Sequence, residues 1–272
     1  MKTNNWPIGV CTWSLGADIQ AVAPAIQTLG LKHVHLAVGP ACRAGGEAYL
    51  QAVGECGWTI TSTMIAFPQE DYSSLESIRA TGGIMPDANW PANRGLARQA
   101  VELTARLGVK YLSFHAGFLD HARAEQARKF SDRMRELADA AAQDGVVLLM
   151  ETGQETPEDL RRFLARADHP ALAVNYDPAN VILYDKGDPI EAVRTLRPWI
   201  RHVHVKDAIR TRSPGAWGAE VPWGDGEVGA AAFLDVLREI GYEGALAVER
   251  EGGDDRLGDV KLAVERLAQH GA

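Results

Sequence analysis

Three acids and an imidazole mark four successive apolar runs. Glu151 closes GVVLLME (145–151), Asp177 directly follows ALAVNY (171–176), His204 lies in IRHVHV (200–205), and Glu249 closes GALAVE (244–249). Taken singly, each has an ordinary reading. An acid after an apolar run commonly caps the next helix, and a lone histidine is more often a hydrogen-bonded core residue than a ligand. As a set they form an oxygen-rich group of donors that suits one divalent cation, Mn²⁺, Mg²⁺, Co²⁺ or Zn²⁺. Capping alone does not explain a metal-capable side chain at the same place in four consecutive runs.

The elements that must position these residues are legible from the same pattern. Short β-branched and apolar runs alternate with helical spacing along the whole chain. Eight strands are expected: 8–13, 32–37, 58–65, 109–115, 145–151, 171–176, 200–205 and 244–249. Such alternation predicts a parallel sheet with crossover helices. Between strands, the spacing of Leu96, Ala100, Leu103 and Leu107 predicts a core-facing helix over 94–107. Gly30, Gly57, Gly108, Gly145 and Gly241 stand where helices must turn back into strands, and Thr156-Pro157-Glu158 has the signature of a helix start. Eight βα units without a linker predict one α/β domain over 1–272, a single-domain (β/α)8 TIM barrel. A doubly wound sheet would carry a Gly-rich turn after its first strand, and Val10-Cys11-Thr12-Trp13-Ser14 is not one. In such a barrel the strand ends five to eight share one rim, where barrel enzymes keep their chemistry. Segments 66–93 and 207–229 are too long for plain connections, contain Trp or Tyr, and are expected to act as lids over that rim.

Composition narrows the function classes. The 28 Lys and Arg against 36 Asp and Glu give a formal charge of −8, which argues against a partner held by its phosphate backbone. Cys11, Cys42 and Cys56 are an odd number without C-x-x-C spacing and read as reduced thiols. The N-terminal residues MKTNNWPIGV lack the apolar core of a signal peptide, and no run reaches membrane-spanning length. A cytoplasmic protein with no membrane or nucleic-acid partner is expected. No organic-cofactor motif is present.

Four fragments together resemble a known family: E-T-G-Q-E-T-P-E-D-L (151–160), Y-D-P-A-N (176–180), H-V-H-V-K-D (202–207) and G-Y-E-G-A-L-A-V-E (241–249). Their order and spacing resemble the xylose isomerase-like TIM barrels, which include sugar-phosphate isomerases and epimerases, ketose 3-epimerases, inosose dehydratases and endonuclease IV. The resemblance implies that Glu151, Asp177, His204 and Glu249 hold one metal. It also implies proton-transfer roles for Glu151 and Glu249, one on each face of a sugar or polyol, through a cis-enediolate. The implied activity is that of a metal-dependent isomerase or epimerase; a keto-polyol dehydratase is the alternative on the same site. An endonuclease-like phosphodiesterase would need further His and Asp ligands that this chain lacks, and a barrel without turnover would not need all four ligands. Related barrels form dimers or tetramers, so a homo-oligomer is a further expectation.

Other substrate contacts follow with departures from the family pattern. Arg210, six residues after His204, matches a family arginine that meets substrate oxygens. Asn180 stands where the ketose 3-epimerases carry a substrate-contacting histidine, and it bears no charge. His35 replaces a glutamate in the family's V-E-L motif and is expected to project into the site. His115, in F-H-A-G, matches a frequent site histidine. Lys206 is expected to reach an anionic substrate group or to pair with Asp207.

Overall fold

The computed structural model describes residues 6–213 and 215–271; the first five residues, part of the stretch read for a signal peptide, lie outside the described residues. Eight parallel strands close on themselves in the order β1-β10-β7-β6-β5-β4-β3-β2. They are β1 (Ile8–Cys11), β2 (His33–Ala37), β3 (Thr59–Met64), β4 (Tyr111–Phe114), β5 (Val147–Glu151), β6 (Leu172–Tyr176), β7 (Ile200–Val205) and β10 (Leu246–Val248). The expected single-domain (β/α)8 TIM barrel is therefore the observed architecture. Two short strands, β8 (Asp207–Ile209) and β9 (Ala219–Val221), form a separate antiparallel pair within the segment 207–229. The strands are shorter than the apolar runs, mainly because the terminal residues of each run leave the ladder. β1 gives way to a helical turn at Thr12–Leu15, and His115 and Glu249 each follow their strand directly.

Most barrel strands are buried on both faces because helices cover the outside and side chains fill the inside. All five residues of β6, for example, are buried. The helix after segment 66–93 runs Trp90–Arg106, starting four residues earlier than its periodicity suggested. Pro91 sits in its first turn, where a missing N–H costs nothing. Its buried face centres on Ala97, Ala100, Val101 and Thr104, whereas Leu96 and Leu107 are half-buried. Gly30, Gly57, Gly108, Gly145 and Gly241 all adopt positive φ, between 64° and 71°, as the helix-to-strand turns require. Thr156 Oγ1 accepts from the Asp159 amide and starts the helix Pro157–Ala167 as its sequence predicted. Among the described residues, no helix is long and apolar enough to cross a membrane, and the three cysteines are free.

Candidate metal centre

The four rim residues converge. One donor atom from each of Glu151, Asp177, His204 and Glu249 lies within 4.8 Å of the others, and all four residues are buried. They come from four adjacent strands, β5, β6, β7 and β10, so the cluster occupies one half of the mouth. His204 Nδ1 is the focus: it lies 3.3 Å from Asp177 Oδ2, 3.3 Å from Glu249 Oε2 and 3.6 Å from Glu151 Oε1. For Asp177 the capping and ligand readings hold together. Its Oδ1 accepts from the Asn180 amide at 2.9 Å and starts the helix Pro178–Leu183, which leaves Oδ2 for the cluster.

Each member is held by a polar neighbour. Asn180 Nδ2 donates to Glu151 Oε1 at 3.0 Å, and His115 Nε2 lies 3.5 Å from the same oxygen. Trp13 Nε1 donates to Glu249 Oε1 at 2.7 Å, and the Lys206 ammonium donates to Glu249 Oε2 at 2.8 Å and Glu251 Oε2 at 2.7 Å. Thr152 Oγ1 accepts from the Asp177 amide at 2.8 Å, fixing the end of β6. Gly153 keeps this turn tight: a Cβ there would stand 2.6 Å from Asn180 Cβ.

Charge governs the site. Burial raises the carboxyl of Asp177 to about 6 despite Lys206 and His204 nearby. Burial also opposes ionisation of Glu151 and Glu249, but histidine charge outweighs it for Glu151, and His204 with Lys206 drives Glu249 well below the usual carboxylate range. Burial disfavours a charged His204, yet the anionic groups around it hold its proton well above the ordinary histidine range. Three buried carboxylates around one imidazole nitrogen, with a single ammonium beside them, are an arrangement that a hard divalent cation fits.

A neutral layer lies under the cluster. His202, His35 and His204 form a column inside the barrel, with His35 ring centroids 4.5 Å from His202 and 5.1 Å from His204. His35 Nδ1 is 2.9 Å from His204 Nε2, and His35 Nε2 is 3.1 Å from the Thr63 carbonyl oxygen. Burial, then the neighbouring His204, lowers His35 to about 3, and burial keeps His202 neutral as well. Asn175 ties the layer together. Its Oδ1 accepts from His202 Nδ1 at 2.9 Å, and its Nδ2 faces Glu151 Oε2 at 3.3 Å and His204 Nε2 at 3.1 Å.

The expected contacts therefore divide. His115, Asn180 and Lys206 are brought to the cluster. His35 is not at the open mouth: it is enclosed beneath His204, because β2 runs on to Ala37 and His35 stands in the middle of the strand, not at its end. Arg210 is turned away, its guanidinium held by the Asp185 carboxylate and the Gly187 carbonyl. Lys206 does not pair with Asp207. Asp207 instead accepts from the amides of Ala208, Gly224, Gly226 and Val228 and so gathers the segment after β9. Trp13, Asn175, Thr152 and Glu251 were missed by the sequence reading. Only Asn175 left a signal there, sharing a strand face with Asp177 at a spacing of two. Both long segments bring aromatic rings towards the cluster: Tyr72 lies 6.0 Å from His115, and Trp217 packs edge-on against Tyr184 at 4.8 Å, beside Asn180 and Gly153. A cavity of about 750 Å³ lies outside the barrel between the helices Ala124–Gln143 and Pro157–Ala167 and contains none of these residues.

Comparison with known proteins agrees with the fold. A family described as xylose isomerase-like TIM barrel matches residues 67–270. The chain is 31% identical over 104 residues to a 3-dehydroshikimate dehydratase of Bacillus anthracis, covering 36% of each. It is 27% identical over 128 residues to an inosose dehydratase of Clostridium tetani, covering 43% of each. The chain thus aligns with less than half the length of these two relatives. Among solved structures, a xylose isomerase domain protein from Planctomyces limnophilus superposes with a TM-score of 0.88 at 30% identity over 97% of both chains. A xylose isomerase-like TIM barrel protein from Mycobacterium smegmatis, solved in complex with magnesium, shares the fold at TM-score 0.73 and 21% identity, covering 100% of this chain and 98% of that one. So does a D-allulose 3-epimerase from Methylomonas in complex with D-allulose, at 0.72 and 16% over 97% of both chains.

Proposed function

We propose that this chain, which belongs to the xylose isomerase-like TIM barrel family, moves a proton at the carbon beside a carbonyl in a sugar or keto-polyol. Glu151, Asp177, His204 and Glu249 would hold the divalent cation. The observation that carries this reading is the pair of buried glutamates on the outer strands of the β5-β6-β7-β10 arc, both reaching the His204 nitrogen. When bound, the cation supplies Lewis acidity that polarises a carbonyl and its neighbouring hydroxyl.

The remaining work falls to the chain's own groups. Glu151 is held by an amide N–H and faces His115, whereas Glu249 is held by an ammonium and an indole N–H. A carboxylate so firmly stabilised as an anion is the weaker base and, once protonated, the stronger acid. Glu151 is therefore assigned the abstraction and Glu249 the return of the proton on the other face, which makes an epimerase or isomerase. His115 is the group beside Glu151 that accepts or positions a substrate hydroxyl, and Asn180 orients the Glu151 carboxylate. Tyr72, Tyr184 and Trp217 give the mouth aromatic walls suited to the C–H faces of a polyol. Arg210 has no part in this assignment.

Lys206 favours a second reading. Its ammonium, held between Glu249 and Glu251, is placed to protonate a departing hydroxyl after the same abstraction. That would be a dehydration, in line with the names of the sequence relatives. One experiment tests both. Protein supplied with Mg²⁺ or Mn²⁺ is incubated in D₂O with a panel of ketoses and keto-polyols. Deuterium at carbon with the substrate skeleton retained supports epimerisation or isomerisation, and loss of water to a conjugated product supports dehydration. Neither incorporation nor loss of water with any sugar or keto-polyol would sink both.

A further inference from the structure

The buried column beneath the cluster offers an inference about how His204 is made into a ligand. An imidazole binds a cation through a nitrogen without a proton, so a ligand histidine must keep its proton on the other nitrogen. Here the far nitrogen, Nε2, meets His35 Nδ1 at 2.9 Å. His35 Nε2 faces the Thr63 carbonyl oxygen at 3.1 Å, and a carbonyl only accepts. His35 Nε2 therefore carries the hydrogen, and a neutral His35 ring offers a lone pair at Nδ1. His204 Nε2 must then donate, so a cation that displaces the proton held at Nδ1 by Glu151, Asp177 and Glu249 finds the remaining hydrogen already on Nε2.

We propose that His35 is a positioning residue that fixes the tautomer and ring orientation of His204, so that its mouth-facing nitrogen is available to a divalent cation. The proposal rests on the metal reading above for its purpose, but the His35 tautomer itself is read directly from contacts. A competing arrangement is visible. Asn175 Nδ2 lies 3.1 Å from His204 Nε2 and could donate to it, which would put the His204 hydrogen on Nδ1. That arrangement leaves the shorter His35 contact unexplained and places a proton where the cation belongs. The Asn175 amide also has an anionic acceptor in Glu151 Oε2. Cys11 Sγ, 4.0 Å from His35 Nδ1, is too distant to take that lone pair from His204.

Two measurements test this. Protein labelled with ¹⁵N-histidine is examined by two-bond ¹H–¹⁵N correlation, first without metal and then with Mg²⁺, which is diamagnetic. Without metal, His35 is expected as the Nε2–H tautomer; an Nδ1–H tautomer overturns the proposal whether or not any metal binds. With Mg²⁺, His204 is expected to be protonated at Nε2 alone, and a proton on Nδ1 alone overturns it. Failure of Mg²⁺ and Mn²⁺ to bind at all would instead defeat the metal reading, with the His35 tautomer still deciding the contact scheme. Second, Mn²⁺ affinity is measured by calorimetry on His35→Phe and His35→Asn. Phe keeps a ring but no acceptor and is expected to weaken binding about 10- to 100-fold. Asn restores an acceptor near the position of Nδ1 and is expected to recover most of that loss. Parent-like affinity in His35→Phe, or equal losses in both, would overturn the proposal. If His35→Phe fails to fold with the Thr63 carbonyl left bare, the His35→Asn affinity and the parent spectra decide it: an affinity near the parent's supports the proposal, and a loss as large as that expected for Phe overturns it.

Discussion

The two sides of the His204 ring face opposite environments. On the Nδ1 side, within 3.6 Å, stand three carboxylates; on the Nε2 side stand a neutral imidazole and a carboxamide. The upper layer concentrates charge that only a cation or proton balances. The lower layer is made of neutral side chains, with His35 bonded between His204 and the Thr63 carbonyl and Asn175 between His202 and Glu151. The contrast teaches that the reactive half of the barrel is built on an uncharged foundation. A buried polar network can hold its neighbours in place only if its own members are satisfied. A second charged layer would compete with the first for the same cation.

The contrast is broken most directly by removing one upper carboxylate's charge. Glu151→Gln is expected to lower proton exchange at the substrate carbon by about 10²- to 10⁴-fold, the usual range for a positioned acid–base group. Exchange in D₂O at the parent rate would remove Glu151 from the role of base. Filling the upper layer should have the next effect. With Mg²⁺ or Mn²⁺ at about 100 times its dissociation constant, folding should gain about 2.7 kcal/mol. Thermal unfolding with and without a chelator reads this, and an unchanged midpoint speaks against a cation.

Smaller effects come from acids that serve neither layer. Asp207 accepts from four amides, so Asp207→Ala should cost about 2 kcal/mol through partnerless N–H groups. The expected signs are a lower unfolding midpoint and faster proteolysis within 209–228; an unaltered digestion pattern would refute that anchoring role. Glu155 shows what burial does without such company. It is enclosed, one carboxylate oxygen has no partner among the described residues, and burial raises it to about 8 despite the nearby Lys186. Because the folded state holds this proton more tightly than the unfolded chain, no penalty exists below the ordinary carboxyl pKa. The penalty grows as pH rises towards 8 and is constant beyond it. Glu155→Gln should therefore raise the midpoint by about 3 °C at pH 8.5 and leave it nearly unchanged at pH 4. Equal shifts at both pH values would show that the effect is packing alone.

Particular residues show how far local pattern reaches. The eight strands were legible because a barrel strand must be apolar over several residues, and the five turn glycines because only glycine takes positive φ there without strain. Glu151, Asp177, His204 and Glu249 were legible as candidates because strand ends share one rim in any such barrel. Asp177 even satisfied its bland and its functional reading together, one oxygen for the helix and one for the cluster.

What spacing did not reveal were heights and partners. His35 was expected at the mouth, but β2 continues two residues beyond it and leaves its ring a layer below, where Asn175 of β6 also bonds. Arg210 had the family spacing, yet the ion pair with Asp185 depends on the path of two loops distant in sequence. The sequence alone determined which strands exist and which side chains they carry to the rim, because period and residue type are local properties of the chain. Only the tertiary structure decided which atom faces which. Strand length and loop path are set by packing across the whole barrel, and they decide whether a side chain such as His35 stands at the mouth or beneath it.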